Sequence, residues 1–336
     1  MPNYAQFSNN KVQLLREATA GTRQTTAAQG SVWRGPFAML EDARERVIVD
    51  EQVGAFVSNE RAYDSMLLAK WAQPSTELTT EQVCHILEAG VKTATPTGAN
   101  PYVYAYAYPA TGTAINTIKT YSIEAGNMIV AADTYYAEYG FVEEFEFSGK
   151  GNEAWMMQSN WIARQTTQAA FTAAVSTLAV TDMRFNNTAL FIDATGGTIG
   201  TTQKTGVMMA ASIKTKTGLI ALPIGDGQLY FQAHKWAMKP EVSGSITIEL
   251  EDGSVAVTER GFWRANGGTM RLLRLKCTDS ASNIFQFDGA IKYDTVGFYE
   301  NSNGNTTLTL DWHAVPSSAD TLFATWTVTN TRTTLP

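Results

Sequence analysis

Residues 139–163 read YGFVEEFEFSGKGNEAWMMQSNWIA, and a later stretch, residues 293–314, reads YDTVGFYENSNGNTTLTLDWHA. Both start on a tyrosine, alternate apolar and polar residues, break at a Gly/Asn turn and resume toward a tryptophan. Alternation with period two on either side of such a turn predicts a pair of antiparallel strands. Laid together at one constant spacing, Tyr139 matches Tyr293, Val142 matches Val296, Phe145 matches Tyr299, Glu146 matches Glu300 and Ser148 matches Ser302. A three-residue slip in the turn then sets Trp161-Ile162-Ala163 against Trp312-His313-Ala314. Just upstream, IKTYSIEAG (118–126) stands where LLRLKCTDS (272–280) stands in the second half. Self-similarity in this order predicts two copies of one β domain.

Working outward, short alternating runs continue on both sides. YVYAYAY (102–108), ALFIDA (189–194), VMMAASIKT (207–215), QLYFQAHKWAM (228–238), SITIELED (245–252), SVAVTER (254–260), NIFQFDGAIKY (283–293) and FATWTVTN (323–330) all read as strands. Many short strands at this spacing predict a mainly β fold of two tandem barrel or sandwich domains. Two segments have helical spacing instead. RAYDSMLLAKWA (61–72) places Ala62, Met66, Leu67 and Trp71 on one face. EQVCHILEAG (81–90) is better punctuated, with Thr79 and Gln82 set as a capping box and Gly90 as a stop. No helix signal is visible in the second half. The expected divisions are an extended N-terminal arm (1–35), a first β domain (36–164), an Ala/Thr-rich linker (165–182) and a second β domain (183–336), each domain burying its own core.

The clustered acids Glu143, Glu144 and Glu146 beside aromatic residues raise a glycosidase reading, which needs two carboxyls flanking one sugar bond. Alternation puts Glu144 and Glu146 on one face and Phe145 and Phe147 on the other. In the matched stretch Gly297 and Phe298 replace the first two acids. The expectation is a half-buried strand with a solvated acidic face. The glycine-rich run IDATGGTIGTTQKTG (192–206) follows a strand but fails the phosphate-loop spacing, since Gln203 precedes Lys204 and no helix follows. It reads as a β–β loop. Cys84 and Cys277 stand in unlike contexts and read as buried free thiols, while His85, His234 and His313 form no ligand spacing. No catalytic, cofactor or metal residues are assigned, and no enzyme activity is expected.

A net charge of -7 argues against a protein that grips nucleic acid by its phosphates. The first residues, MPNYAQFSNNKVQLL, have no basic start, apolar core or cleavage site, and no apolar run is long enough to span a membrane. Synthesis and folding in a cytoplasm are expected. Eight tryptophans and thirteen tyrosines could line a sugar-binding face, but β cores and subunit interfaces use the same residues. An assembly component is the expectation.

The stretch KVQLLREATAGT (11–22) resembles the opening of siphophage tail tube proteins, the major tail proteins, through Leu15, Arg16, Glu17, Thr19, Gly21 and Thr22. The continuation fits as well, with PFAMLEDARERVIVDEQVG (36–54) and a helix ending in ILEAGV (86–91). The resemblance implies small β barrels or sandwiches with one flanking helix, whose inner sheets join around a ring to enclose a lumen. It also implies stacking of rings into a tube, with a tape measure protein and tail tip or terminator proteins as partners. DNA would pass through without specific binding, in the virion of a phage. A duplicated chain of this kind would form a pseudo-hexameric ring from three copies. Glu144 and Glu146 are then candidates for the lumen wall. Other virion parts, a capsid or decoration protein, and more distantly a glycan-binding β protein, are the alternative readings.

Overall fold

The structure, a computed structural model, describes residues 6–54, 56, 61–251, 255–302 and 304–335. Residues 1–5 of the expected arm, Ser254 and Asn303 lie outside these. The chain is mainly β. Its first half supplies β1 (Asn10–Arg16), β2 (Gly30–Val32), β3 (Glu41–Asp42), a hairpin of β4 (Glu45–Ile48) and β5 (Ala62–Met66), then β6 (Ala69–Glu77) and helix α1 (Val83–Gly90). These lead into β7 (Tyr102–Ala107), β8 (Tyr121–Asn127), β9 (Thr134–Lys150), β10 (Met156–Ala163), β11 (Thr166–Gln168) and β12 (Ser176–Thr177). The second half supplies β13 (Thr188–Ala194), β14 (Gln203–Lys204), β15 (Met208–Lys216), a hairpin of β16 (Leu219–Leu222) and β17 (Ala233–Trp236), then β18 (Glu241–Glu249) and helix α2 (Val255–Arg264). It closes with β19 (Arg271–Ser280), β20 (Asn283–Val296), β21 (Glu300–Ser302), β22 (Asn305–Ala314) and β23 (Ala324–Asn330).

The two halves repeat ladder for ladder. In the first, β1–β2, β1–β8, β8–β9, β9–β10, β10–β6, β6–β3 and β9–β11 are all antiparallel. Their counterparts are β13–β14, β13–β19, β19–β20, β20–β22, β22–β18, β18–β15 and β20–β23, again all antiparallel. In each half one long strand serves two sheets. The first part of β9 pairs with β8 and β11, and its second part with β10 and β15. Likewise β20 gives its first part to β19 and β23 and its end to β22. The helices pack on these long strands, α1 on β9 and α2 on β20.

The register corrects the repeat as read from sequence. Trp161 lies opposite Val142, and Trp312 lies opposite Tyr293. The counterpart of Tyr293 is therefore Val142 and not Tyr139. A β-bulge leaves Glu143 without an opposite residue on β10, and the same bulge in the second half leaves Asp294 so on β22. The acid common to both halves stands at the bulge. The tryptophan match holds without any slip, because the alternation of a strand fits several alignments and only the ladder chooses one.

Five further expectations change. Residues 10–16 form a central strand between β2 and β8, with Val12, Leu14 and Leu15 buried, where an arm was expected. The expected helix over 61–72 is β5 followed by β6, in which Ala69, Trp71 and Gln73 face the core and Lys70 and Ala72 face out. Two short strands meeting at Leu67-Leu68 mimic helical spacing. Residues 255–260 of SVAVTER, read as a strand, form the first part of α2, the second-half helix that its sequence hides. The segment 165–182 is no free linker, since β11 pairs with β9 and β12 runs parallel to β2. The halves also share one core. Phe145 and Phe147 of β9 meet Trp326 and Phe285 at ring-centroid distances of 5.5 and 5.4 Å, and β7 of the first half pairs with β23 of the second.

Thr79, expected to cap α1, stands in the turn before it, where its Oγ accepts the Gln82 N–H at 3.2 Å, and the N-cap residue is Gln82. Each helix also buries a glutamate against the sheets. Glu88 of α1 receives two bonds from Arg16, at 2.8 and 2.6 Å, and one from the Tyr121 hydroxyl at 2.8 Å. Glu259 of α2 receives two from Arg271, both 3.0 Å, and one from the Tyr293 hydroxyl at 3.0 Å. Both carboxylates are fully buried, so their charge is tolerable only with these donors in place. Glu259→Ala leaves the Arg271 guanidinium buried and unpaired. Urea unfolding should report a loss of about 3–5 kcal/mol.

Candidate functional site

The ladder between β9 and β15 joins the halves edge to edge. Lys150 lies opposite Ala210, Glu146 opposite Lys214 and Glu144 opposite Lys216. The result is one continuous sheet in the order β6, β10, β9, β15, β18 and β22. Strand alternation splits its side chains between two faces. Phe145, Phe147, Trp161, Ile213, Ile246 and Leu310 turn into the core. The other face carries Gln158, Asn160, Glu144, Glu146, Ser212, Lys214, Ser245, Thr247, Thr309 and Asp311, none of them buried.

This face is the candidate functional surface, and its groups are bonded to one another. Lys214 Nζ lies 3.3 Å from Glu144 Oε1, and Gln158 donates to Glu146 at 3.2 Å. Across β15 and β18 the Ser212 and Ser245 hydroxyls bond at 2.9 Å, and Thr247 bonds Thr309 at 3.2 Å. The three glutamates do not converge as a catalytic pair would. Glu143 stands on the bulge and is exposed, Glu144 is held by Lys214, and Glu146 by Gln158. The expected acidic face is therefore mixed in sign, because β15 lays its lysines beside the acids of β9. Nothing local in the sequence signals this. The pairing joins residues sixty or more apart, and alternation in VMMAASIKT marks a strand without naming its neighbour.

The N-terminal motif proves to be structural. Glu17 is fully buried and accepts four bonds, from the Gly21 and Tyr139 N–H groups (2.8 Å each) and from the Thr120 (2.7 Å) and Ser122 (3.0 Å) hydroxyls. It clamps the chain after β1 to β8 and β9. Gly21 has φ +76°, and a Cβ there would come within 2.3 Å of the Arg164 guanidinium. Arg16 is the partner of Glu88 already described.

In the glycine-rich loop, Asp193 accepts the N–H groups of Gly200 (2.7 Å), Thr201 (3.3 Å) and Thr202 (2.8 Å) and the Thr201 hydroxyl (2.8 Å). Burial opposes its charge, but the bonds from Thr202, Thr201 and Gly200 outweigh that and hold its pKa at about 2. The loop amides that a phosphate would need are thus occupied by the protein's own carboxylate. Both cysteines are free and buried, with pKa values pushed up by burial to about 12 for Cys84 and about 11 for Cys277. Among the described residues no group of three His, Cys, Asp or Glu side chains gathers to hold a metal ion, and no helix is long and apolar enough to cross a membrane. A scan of protein-family models gives no match to the chain, and a search of curated proteins gives none either.

His85 lies on α1, fully buried, with Nδ1 3.1 Å from the Tyr121 hydroxyl. That hydroxyl gives its proton to Glu88, so His85 carries its own proton on Nδ1. Burial first, then the charges of Arg16 and Arg332, lower its pKa from 6.5 to about 3. In the unfolded chain the imidazole takes up a proton below pH 6.5, while the folded one stays neutral down to about 3. Its contribution to stability is therefore complete above 6.5 and shrinks as the pH falls through that window. The urea midpoint should drop over this range, and His85→Gln should flatten that part of the profile.

Proposed function

We propose that the chain is a structural virion protein that assembles into stacked rings, the tail tube of a long-tailed, non-contractile phage, and so forms a conduit for DNA. The observation that carries this reading is the β9–β15 ladder, which turns two copies of one β unit into one uninterrupted sheet with a polar face. A tube wall needs a repeating unit whose sheets continue from one copy to the next, and the chain contains one such joint already. Three chains would place six copies in a ring, because each covalent link replaces one interface. The N-terminal motif and the duplicated helix-bearing unit also support the reading. Its partners would be further copies of itself, a tape measure protein and the tip and terminator proteins.

The polar face suits a lumen. DNA passing a wall of hydroxyls and carboxylates, with Lys214 held by Glu144, meets no row of free cations able to displace its counterions, so it slides without binding. Retaining Glu144 beside Lys214 matters here, since unpaired lysines would hold phosphates. Replacing both Glu144 and Glu146 by Lys should leave the fold intact and slow DNA passage in assembled virions. Unchanged ejection kinetics would place these residues off the lumen.

Electron microscopy of the purified protein tests the assignment directly. Hollow tubes or small rings are expected. Closed shells would point to a capsid role, and discrete monomers that bind polysaccharide to a lectin.

A further inference from the structure

The joint inside the chain is a template for a joint between chains. Beyond the β9–β15 ladder, Thr217 donates its N–H to Glu143 O and its hydroxyl to Val142 O, both at 2.9 Å. The β16–β17 hairpin then folds over the first half. Leu219 and Phe231 pack in a cluster with Phe141, Ile162 and Leu68, and Arg164 donates to Phe231 O at 3.0 Å and Gln232 O at 2.8 Å.

Because the ladders repeat, each part of this joint has a counterpart. β3 stands to β6 as β15 stands to β18, so Glu41 corresponds to Lys214 and Ala43 to Lys216. Thr295 stands to β22 as Glu144 stands to β10. Within one chain these counterparts sit at opposite ends of the joined sheet. Among the described residues the outer edges of β3 and of residues 295–297 enter no ladder. The β4–β5 hairpin, which leaves β3 as β16–β17 leaves β15, keeps Ile48 and Tyr63 exposed at 70% and 56%. The counterpart of the surface that β16–β17 covers is lined by Glu241, Ser243 and His313, part of a groove of about 930 Å³.

We propose that a second copy of the chain completes the pattern head to tail. β3 of one chain adds antiparallel to residues 295–297 of the next, with Ala43 opposite Thr295 and Glu41 opposite Gly297, and the β4–β5 hairpin lies over the groove. Both complementary edges are present on one chain, which is what a heterologous, ring-closing interface requires. The exposed Phe298 and Tyr299 lie beside this edge and gain a cover. The chemistry of the two joints differs. Phe141, Ile162 and Leu68 inside the chain are replaced at the new joint by Lys292, His313 and Glu241, and Thr217 by Arg44, which arrives beside Asp294. Under its hairpin the inner joint is apolar and permanent, whereas the same place in the outer one is charged and weakened by salt. This deepens the ring reading and rests on it only for closure of the ring.

The test mixes two single variants, Ala43→Cys and Thr295→Cys, under oxidising conditions, the natural cysteines being buried. A disulfide-linked pair should form in the mixture and in neither variant alone, and the double variant should give a ladder of covalent oligomers. A charge exchange provides a second readout. Arg44→Asp should abolish assembly at low salt, and adding Asp294→Arg should restore it. Rings or tubes without the cross-link and without charge rescue would overturn this joint and leave the tube reading standing. A cross-linked oligomer that never forms rings or tubes would uphold the joint and sink the tube reading. Chains that stay monomeric without either signal would overturn both.

Discussion

The hydrogen bonds between β9 and β15 set what the rest of the molecule can be. They remove two edges that would otherwise be exposed, one from each half, and edges of that kind recruit other chains indiscriminately. They also fix which charges face each other, since lysines of β15 fall beside glutamates of β9. The long strand β9 makes this possible. At 17 residues it spans about 55 Å, enough to anchor one sheet of the first half and then leave it to meet the second. Its aromatic side chains follow the same route, so the core is continuous across the repeat.

The two helices of the repeated ladders share one electrostatic problem and have different answers. Glu88 and Glu259 each need a cation once buried. The first half takes it from β1 through Arg16, the second from β19 through Arg271. A tyrosine hydroxyl completes both sites. What is preserved is charge compensation under the helix, which physics demands, and not the strand that supplies it. The tryptophan pair behaves likewise. Trp71 faces Trp161 in the first half, whereas Gly244 faces Trp312 in the second, where a Cβ would strike the Ser212 carbonyl oxygen at 2.0 Å.

The strands were legible in the sequence in long alternating runs such as YVYAYAY and NIFQFDGAIKY, although of QLYFQAHKWAM only Ala233–Trp236 is strand. Their class follows from period two, which survives burial on one face. Short strands in succession were not legible, and 61–72 passed for a helix because β5 and β6 meet at two leucines. Helix α2 was hidden because Val255 and Val257 mark strands by propensity, so tertiary packing on β20 overrides preference. The N-terminal strand was missed for its polar surroundings, although Val12, Leu14 and Leu15 carry the apolar signal. The solvated acids of β9 were placed correctly by alternation. Their neighbours on β15 were not, since pairing between distant segments leaves no local trace.

The exchange of β7 into the second-half sheet has a consequence for how the chain comes off the ribosome. β7 pairs with β23, which is made about 200 residues later. At synthesis rates of about 5–20 residues per second that interval lasts on the order of 10–40 seconds. Throughout it the first half holds an aromatic strand, bearing Tyr104 and Tyr106, without its eventual neighbour. Complete folding of the first half before the second is therefore closed to this topology, because β7 finds its ladder partner only when the last strand emerges.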